Sequence, residues 1–305
     1  MILKIVQHTK DINKPFGATL GNFDGVHKGH LSMLKEAKQK CVESNISFAV
    51  ITFLPHPAQI LKAQRAFLLS EYEDRRSLLE NAGVDILVEI PFTREFSSLT
   101  PEQFIDAYIS SIKNLKLLCL GYDFAFGANK AGDVNTFRQI LSGSNLSIVE
   151  LSQFQESDQR ISSSVIRELI RKGRVEDVKN LLGRNYRLKG KVVRGKGRGK
   201  GIGFPTANLQ VPDEMITPST GVYATQTVLG HKTYKSVTNI GFNPTFNDSL
   251  KMTIETHILD SIDDFYNEIL EVEFLGKIRE EKRFNSIDDL ISQIAKDAKV
   301  AKEWK

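Results

Sequence analysis

From the N-terminus to residue 182 the chain alternates between two hydrophobic rhythms. Short, nearly unbroken apolar runs at 18–21, 48–53, 85–90, 115–120 and 147–151 read as strands. Between them, apolar residues recur at three- and four-residue spacing over 31–42, 71–82, 101–112 and 134–141, the pattern of amphipathic helices. Two further helices follow at 162–171 and 175–182, parted by Gly173. The start of the third helix is marked chemically: Thr100 can cap it, Pro101 suits its first position and Gln103 completes a capping box. Strand and helix in alternation predict a parallel sheet with helices on both faces.

After Gly183 the rhythm changes. Short β-rich runs at 221–228, 233–240, 252–258 and 269–274, separated by turn residues, predict an antiparallel sheet closed into a small barrel. Helical spacing returns at Ile287, Leu290, Ile291 and Ile294, with Ser286 as cap, so a final helix closes the chain. The expected organisation is two domains, 1–183 and 184–305, which suits a chain of 305 residues.

Composition changes this picture little. Hydrophobic residues at 41% and charged residues at 26% describe a packed globular protein and exclude a disordered or fibrous one. The opening apolar stretch is too short for a signal peptide, and no run approaches the ~18 apolar residues of a membrane span. Cys41 and Cys119 lie far apart in apolar surroundings, which points to a reducing, cytoplasmic setting. Charge matters more: the net +4 conceals a run of Arg184, Arg187, Lys189, Lys191, Arg194, Lys196, Arg198 and Lys200 without an acid among them. Such a local positive segment suits a phosphate-rich small ligand at least as well as nucleic acid, which needs a broader basic face.

Two segments carry chemistry. After the first strand comes Gly21-Asn22-Phe23-Asp24-Gly25-Val26-His27-Lys28-Gly29-His30, leading into a helix. Glycines there let backbone N–H groups approach a phosphate, the helix N-terminus favours negative charge, and the imidazoles of His27 and His30, three residues apart, can donate to phosphate oxygens. The alternatives are two surface histidines or half of a zinc site, for which neither cysteine is well placed. Asp24 serves a turn as readily as a ligand. Ser162, Ser163 and Ser164 before a helix read, taken alone, as a capping sequence.

The second segment, Gly195-Lys196-Gly197-Arg198-Gly199-Lys200-Gly201-Ile202-Gly203-Phe204-Pro205-Thr206-Ala207-Asn208, interleaves glycines with cations as a polyphosphate-wrapping loop would. It lacks the Walker pattern, and an RNA-binding loop is its rival.

The first string resembles the G-x-F-D-G-x-H-x-G-H variant of the nucleotidyltransferase signature found in prokaryotic FMN adenylyltransferases. Thr52-Phe53-Leu54-Pro55-His56-Pro57, Gly121-Tyr122-Asp123-Phe124-Ala125-Phe126-Gly127 and Ile161-Ser162-Ser163-Ser164-Val165-Ile166-Arg167 look like further motifs of that family. Gly203-Phe204-Pro205-Thr206-Ala207-Asn208 resembles the riboflavin kinase signature, followed in family order by Gly221-Val222-Tyr223, Asn239-Ile240-Gly241 with Pro244-Thr245-Phe246, Ile254-Glu255-Thr256-His257, and an R-x-E-x-x-F pattern at Arg279, Glu281 and Phe284. One departure is Asp264-Phe265-Tyr266-Asn267, where the family often has D-L-Y-G; Asn tolerates the left-handed turn.

The resemblance, to the bifunctional riboflavin kinase/FMN adenylyltransferases, implies a Rossmann-like nucleotidyltransferase domain followed by a six-stranded Greek-key barrel. It implies ATP contacts from Gly21, Phe23, Gly29, Ser162, Ser163, Ser164 and Arg167 in the first site, and from Gly195, Lys200, Gly203, Thr206 and Asn208 in the second. Thr206 and Asn208 would also hold Mg²⁺, and Glu255 would be the base of the kinase. Flavin contacts are expected from His56, Pro57, Asp123, Phe124, Phe126, Arg279, Glu281 and Phe284, with packing as the competing role for Phe124 and Phe126. ATP, riboflavin, FMN and FAD are the expected substrates and products. Neither nucleic acid nor membrane is an expected partner, and the expected state is a monomer or weak homo-oligomer. The rivals are a paralogue with one dead site, a nucleic-acid-binding protein, and an adenylyltransferase for another phosphate, which the kinase motifs disfavour.

Overall fold

A computed structural model describes all residues except 1, 111, 153–160, 196, 245–249, 262–264 and 305; at 198, 200, 243, 244, 250 and 251 it describes the backbone alone. The chain forms two compact units, Met1–Arg65 with Ser70–Ser163, and Ala66–Leu69 with Ser164–Lys305.

The first unit carries β1 (Lys4–Val6), β2 (Phe16–Leu20), α1 (Lys28–Glu43), β3 (Ser47–Leu54), α2 (Pro57–Leu61), α3 (Tyr72–Asn81), β4 (Ile86–Pro91), α4 (Arg94–Ser97), α5 (Pro101–Ile105), β5 (Leu115–Gly121), α6 (Val134–Ile140) and β6 (Ser147–Leu151). The strands form one parallel sheet in the order β1-β4-β3-β2-β5-β6. Its core is double, as a sheet covered on both faces requires: Ala49 and Ile51 belong to one apolar cluster, Phe48 and Val50 to the other. The sequence pattern missed β1, a three-residue strand paired with β4. It also read 101–112 as one helix; the capping box at Thr100 is present, but after Ile105 the backbone continues as a π-helix over Asp106–Ser110. The chain winds from β2 outward to β4 and then restarts at β5 on the other side of β2. Loops leaving the carboxyl ends of β2 and β5 therefore flank the topological switch point, where open α/β sheets bind ligands.

The second unit contains α7 (Ser163–Arg171) apart from its first residue, α8 (Val175–Leu182), β7 (Tyr186–Val193), α9 (Arg198–Gly201), β8 (Ala207–Gln210), β9 (Gly221–Leu229), β10 (Lys232–Pro244), β11 (Leu250–Ile258), β12 (Ile269–Arg279) and α10 (Ile287–Glu303). Strands β7 to β12 close into an antiparallel barrel, order β10-β11-β8-β7-β12-β9. Residues 164–182, which the sequence grouped with the α/β half, cluster here, with α8 against β7 and β12; so do Ala66–Leu69, whose Leu68 pairs with Met215. The barrel interior mixes apolar side chains such as Tyr186, Tyr223, Ile240 and Phe274 with a buried hydroxyl chain of Thr227, Ser236, Thr225, Thr238 and Thr256, linked at 2.8–2.9 Å. Each hydroxyl can both donate and accept, so the chain leaves none of these groups unsatisfied.

The basic run is not a continuous loop. Arg187, Lys189 and Lys191 alternate outward along β7, opposite the acidic strand β12, and Arg187 pairs with Glu271 at 2.8 Å. Beyond it, the Arg194 guanidinium lies 5.0 Å from the centre of the Tyr266 ring. Asn267 takes φ 69°, the left-handed turn expected of it.

Candidate active sites

The first site grows from the carboxyl end of β2. The turn after Leu20 passes through left-handed backbone at Phe23 (φ 50°), Gly25 (φ 76°) and Val26 (φ 35°) before α1 begins. His27 caps that helix: its Nδ1 accepts from the N–H of His30 at 3.2 Å, which leaves the proton of a neutral ring on Nε2. The two imidazoles stack with centroids 3.6 Å apart and planes 14° from parallel, so the expected shared side is realised. A Cβ on Gly29 would press on the His27 ring at 3.3 Å. Phe23, expected at ATP, is wholly buried in the core cluster with Val26 and Leu34, so its ring packs the turn rather than facing a ligand. Asp24 is also buried, accepting from the N–H of Ser70 at 3.4 Å, while Ser70 Oγ accepts from the N–H of Gly25 at 3.2 Å. Ser163 Oγ donates to the Asp24 carbonyl at 3.2 Å, bringing one of the serine triplet to this turn.

The other predicted members have definite places. His56 is the buried cap of α2, its Nδ1 accepting from the N–H of Ala58 at 3.1 Å, with Pro57 the first helical residue after a cis Leu54–Pro55 bond. Asp123 is exposed beyond β5. Phe126 is buried and tilted 4.4 Å from Phe137, and half-buried Phe124 stacks on it at 5.6 Å, so packing accounts for much of both rings. Ser162 and Ser163 are half-buried and Ser164 exposed. Arg167 belongs to the second unit, where its Nε donates to the Phe67 carbonyl at 2.9 Å and its guanidinium carbon sits 3.6 Å from the Phe67 ring centre.

The second site is a cavity of about 190 Å³ lined by Gly197, Gly199, Thr206, Asn208, Asn239, Gly241, Phe242, Thr253, Glu255 and Glu281. Strand register explains the convergence. Glu255 on β11 lies opposite Asn208 on β8 and Asn239 on β10, so all three side chains share one face, the opposite face from the hydroxyl chain. Two glycines make room: a Cβ on Gly195 would overlap the Asn208 amide, and one on Gly241 would overlap the Glu281 carboxylate. His257, two residues along β11, bonds through Nδ1 to the Pro205 carbonyl at 2.7 Å and so holds the segment before Thr206. Arg279 is committed elsewhere, to Asp297 on α10 at 2.8–3.2 Å, with half-buried Phe284 5.8 Å from its guanidinium. Gly195 lies against Asn208 and Gly203 takes φ 86°, neither among the described residues that line the cavity, whereas the Lys200 and Arg198 side chains, Lys196, Thr245, Phe246, Asp264 and the Pro244 side chain lie outside the described residues.

A family model for FAD synthetase matches residues 9–165, and one for riboflavin kinase matches residues 182–305. The bifunctional riboflavin kinase/FMN adenylyltransferase of Bacillus subtilis (strain 168) is 38% identical over 287 residues, covering 92% of this chain and 90% of that protein. The chain belongs to this bifunctional family. A second relative, the bifunctional riboflavin kinase/FMN adenylyltransferase of Escherichia coli (strain K12), is 34% identical over 288 residues, 94% of this chain and 91% of its own. A crystal structure described as a macrolide-efflux protein from Streptococcus pneumoniae matches all of both chains with a TM-score of 0.89 at 29% identity. Among the described residues no helix is long and apolar enough to cross a membrane.

Within the bifunctional family frame, the sequence reading left Asn239 and Thr253 out of the second site and Ser70 and Arg75 out of the first. Asn239 had a signal, since the Asn-Ile-Gly motif was visible. Ser70 and Arg75 had none, because only folding brings 70–75 beneath the turn at 22–25.

Proposed function

We propose that this chain phosphorylates riboflavin to FMN with ATP in its kinase domain, 184–305, and adenylylates FMN to FAD with ATP in its nucleotidyltransferase domain, 1–183. The observation that carries the kinase half is the meeting of Thr206, Asn208 and Glu255 in one cavity. There Glu255 takes the proton of the ribityl 5′-hydroxyl as its oxygen attacks the γ-phosphorus and ADP leaves. The Thr206 hydroxyl and Asn208 amide oxygen are hard donors that fit Mg²⁺ with its remaining waters, and the ion when bound would neutralise phosphate charge. Glu281, across the cavity, favours the same cation or orients the flavin hydroxyls.

For adenylylation, an FMN phosphate oxygen attacks the α-phosphorus of ATP and the bond to diphosphate breaks. The stacked histidines and the first N–H groups of α1 are aimed to hold the charge that develops on the phosphate oxygens. His27 Nε2–H is the natural donor, because its Nδ1 is occupied by the cap. No covalent enzyme intermediate is needed. Small molecules are the partners in this reading, neither nucleic acid nor membrane; the protein is a monomer or weak homo-oligomer, and two buried free thiols accord with a cytoplasmic setting.

The test is a time course with riboflavin, ATP and Mg²⁺ in which FMN appears first and FAD second. Glu255→Gln is expected to slow FMN formation by ~100-fold or more while FAD still forms from added FMN. His27→Asn should give the converse. Conversion of neither riboflavin nor FMN by the native protein would refute the proposal.

A further inference from the structure

Helix α3 sends two side chains to the loops that leave the carboxyl edge of the first sheet. The Tyr72 hydroxyl accepts from the N–H of His56 at 2.9 Å and donates to Gln59 at 2.6 Å, holding the start of α2. One turn later Arg75 is only 2% exposed, and its guanidinium donates to the Asn22 carbonyl at 3.1 Å and to Glu89 at 3.3 Å. Glu89, also buried, already has a two-point bond with Arg76 at 3.2 and 2.6 Å, so Arg75 is not needed merely to partner that carboxylate. A buried arginine is rare, and burial here pulls its pKa down, with Glu89 opposing. Such a residue calls for a task that an apolar side chain cannot perform.

The carbonyl it holds directly precedes the left-handed stretch at Phe23, Gly25 and Val26. Two of these residues carry a Cβ, and such backbone persists only where its surroundings over-determine it. Thr52 Oγ1 adds a second donor to the same carbonyl at 3.3 Å. We propose that Arg75 is a positioning residue for adenylyl transfer: by holding the Asn22 carbonyl it fixes the turn that presents the His27 ring and the N-terminus of α1 to the nucleotide. This rests on the reading of that turn as the adenylyl-transfer site.

The test uses the full chain, measuring FMN-to-FAD kinetics and, in the same preparation, riboflavin phosphorylation as a check on the second unit. Arg75→Lys keeps a cation beside Glu89 but lacks the fork that reaches Asn22 as well. It is expected to lower kcat for adenylyl transfer by ~10–100-fold, the scale of a small misplacement of catalytic groups, with KM for ATP and FMN within about threefold and the kinase unchanged. Thr52→Val, nearly isosteric, should lose about threefold, and the double variant less than the product of the two, because both act on one carbonyl. Thr52→Val carries the test if Arg75→Lys does not fold. Full adenylyl-transfer kcat in both single variants would overturn the proposal, as would recovery in Arg75→Met/Glu89→Gln, which would reduce Arg75 to neutralising a carboxylate. His27→Asn separates the two levels: activity retained there defeats the site reading, whereas an inactive His27→Asn beside fully active Arg75→Lys and Thr52→Val variants defeats only the positioning role.

Discussion

Gly195 and Gly241 shape the cavity proposed for the kinase reaction by what they lack. Neither lies at positive φ, so alanine meets no backbone strain at either position, and the consequence of the added methyl falls on the side chain it meets. At 195 that is the whole amide of Asn208, atoms Nδ2, Cγ and Oδ1, on a short side chain; at 241 it is mainly the end of the longer, flexible Glu281 side chain. Gly195→Ala is therefore expected to cut riboflavin kinase kcat by ~10-fold or more through displacement of Asn208, and Gly241→Ala by less. Adenylyl transfer should be untouched in both, and steady-state kinetics on each reaction check this. Single residues were legible in proportion to how local their task is. Asn267 could be assigned its left-handed turn because φ is a property of one residue. Asn239 joins Glu255 only through the register of β10 on β11, which no local pattern encodes. Arg75 was invisible because a cation on an amphipathic helix is normally the solvated face.

Among the elements, α10 shows the same division. Its start was legible, since Ser286 caps it through the N–H of Asp289 at 3.1 Å, and its apolar stripe packs Ala301 against Val222, Ala224, Val237 and Leu275. Its attachment was not: Asp297 reads as one more polar residue, yet it is 2% exposed, receives Arg279 from β12 through three donor–acceptor pairs, and accepts from Gln293 at 2.7 Å. Arg279, expected at the flavin, is in this arrangement the bolt between the last strand and the last helix. Removing the carboxylate leaves a half-buried guanidinium without its partner, and breaking such a pair from one side costs about 3 kcal/mol. Asp297→Ala should lower the urea midpoint for loss of barrel structure accordingly, while kinase kcat measured well below that midpoint stays near the native value. A large kcat loss in fully folded protein would instead return Arg279 to the flavin site.

For the whole molecule, periodicity disclosed two architectures in order, helix-covered parallel sheet and then antiparallel barrel, because each strand and helix writes its exposure into its own residues. It did not disclose that 66–69 and 164–182 cluster with the barrel, since membership of a compact unit is decided by long-range packing. The stacked histidines belong to the first unit, and every described residue lining the cavity proposed for the kinase belongs to the second. In the proposed scheme neither chemical step draws a side chain from the other's catalytic centre, and the intermediate FMN is a small, soluble, dianionic molecule with no covalent tie to the chain. Glu255→Gln and His27→Asn should accordingly complement one another when mixed as separate proteins. Riboflavin and ATP given to the pair should yield FMN from the His27 variant, then FAD from the Glu255 variant. The lag before FAD should lengthen as both proteins are diluted, because the second step waits on FMN free in solution. If FMN instead stayed bound to the His27 variant at about one equivalent per chain, with none free in solution and no FAD formed, although the Glu255 variant alone converts added FMN, release into solution would not be the route, and transfer within one chain would have to be part of the mechanism.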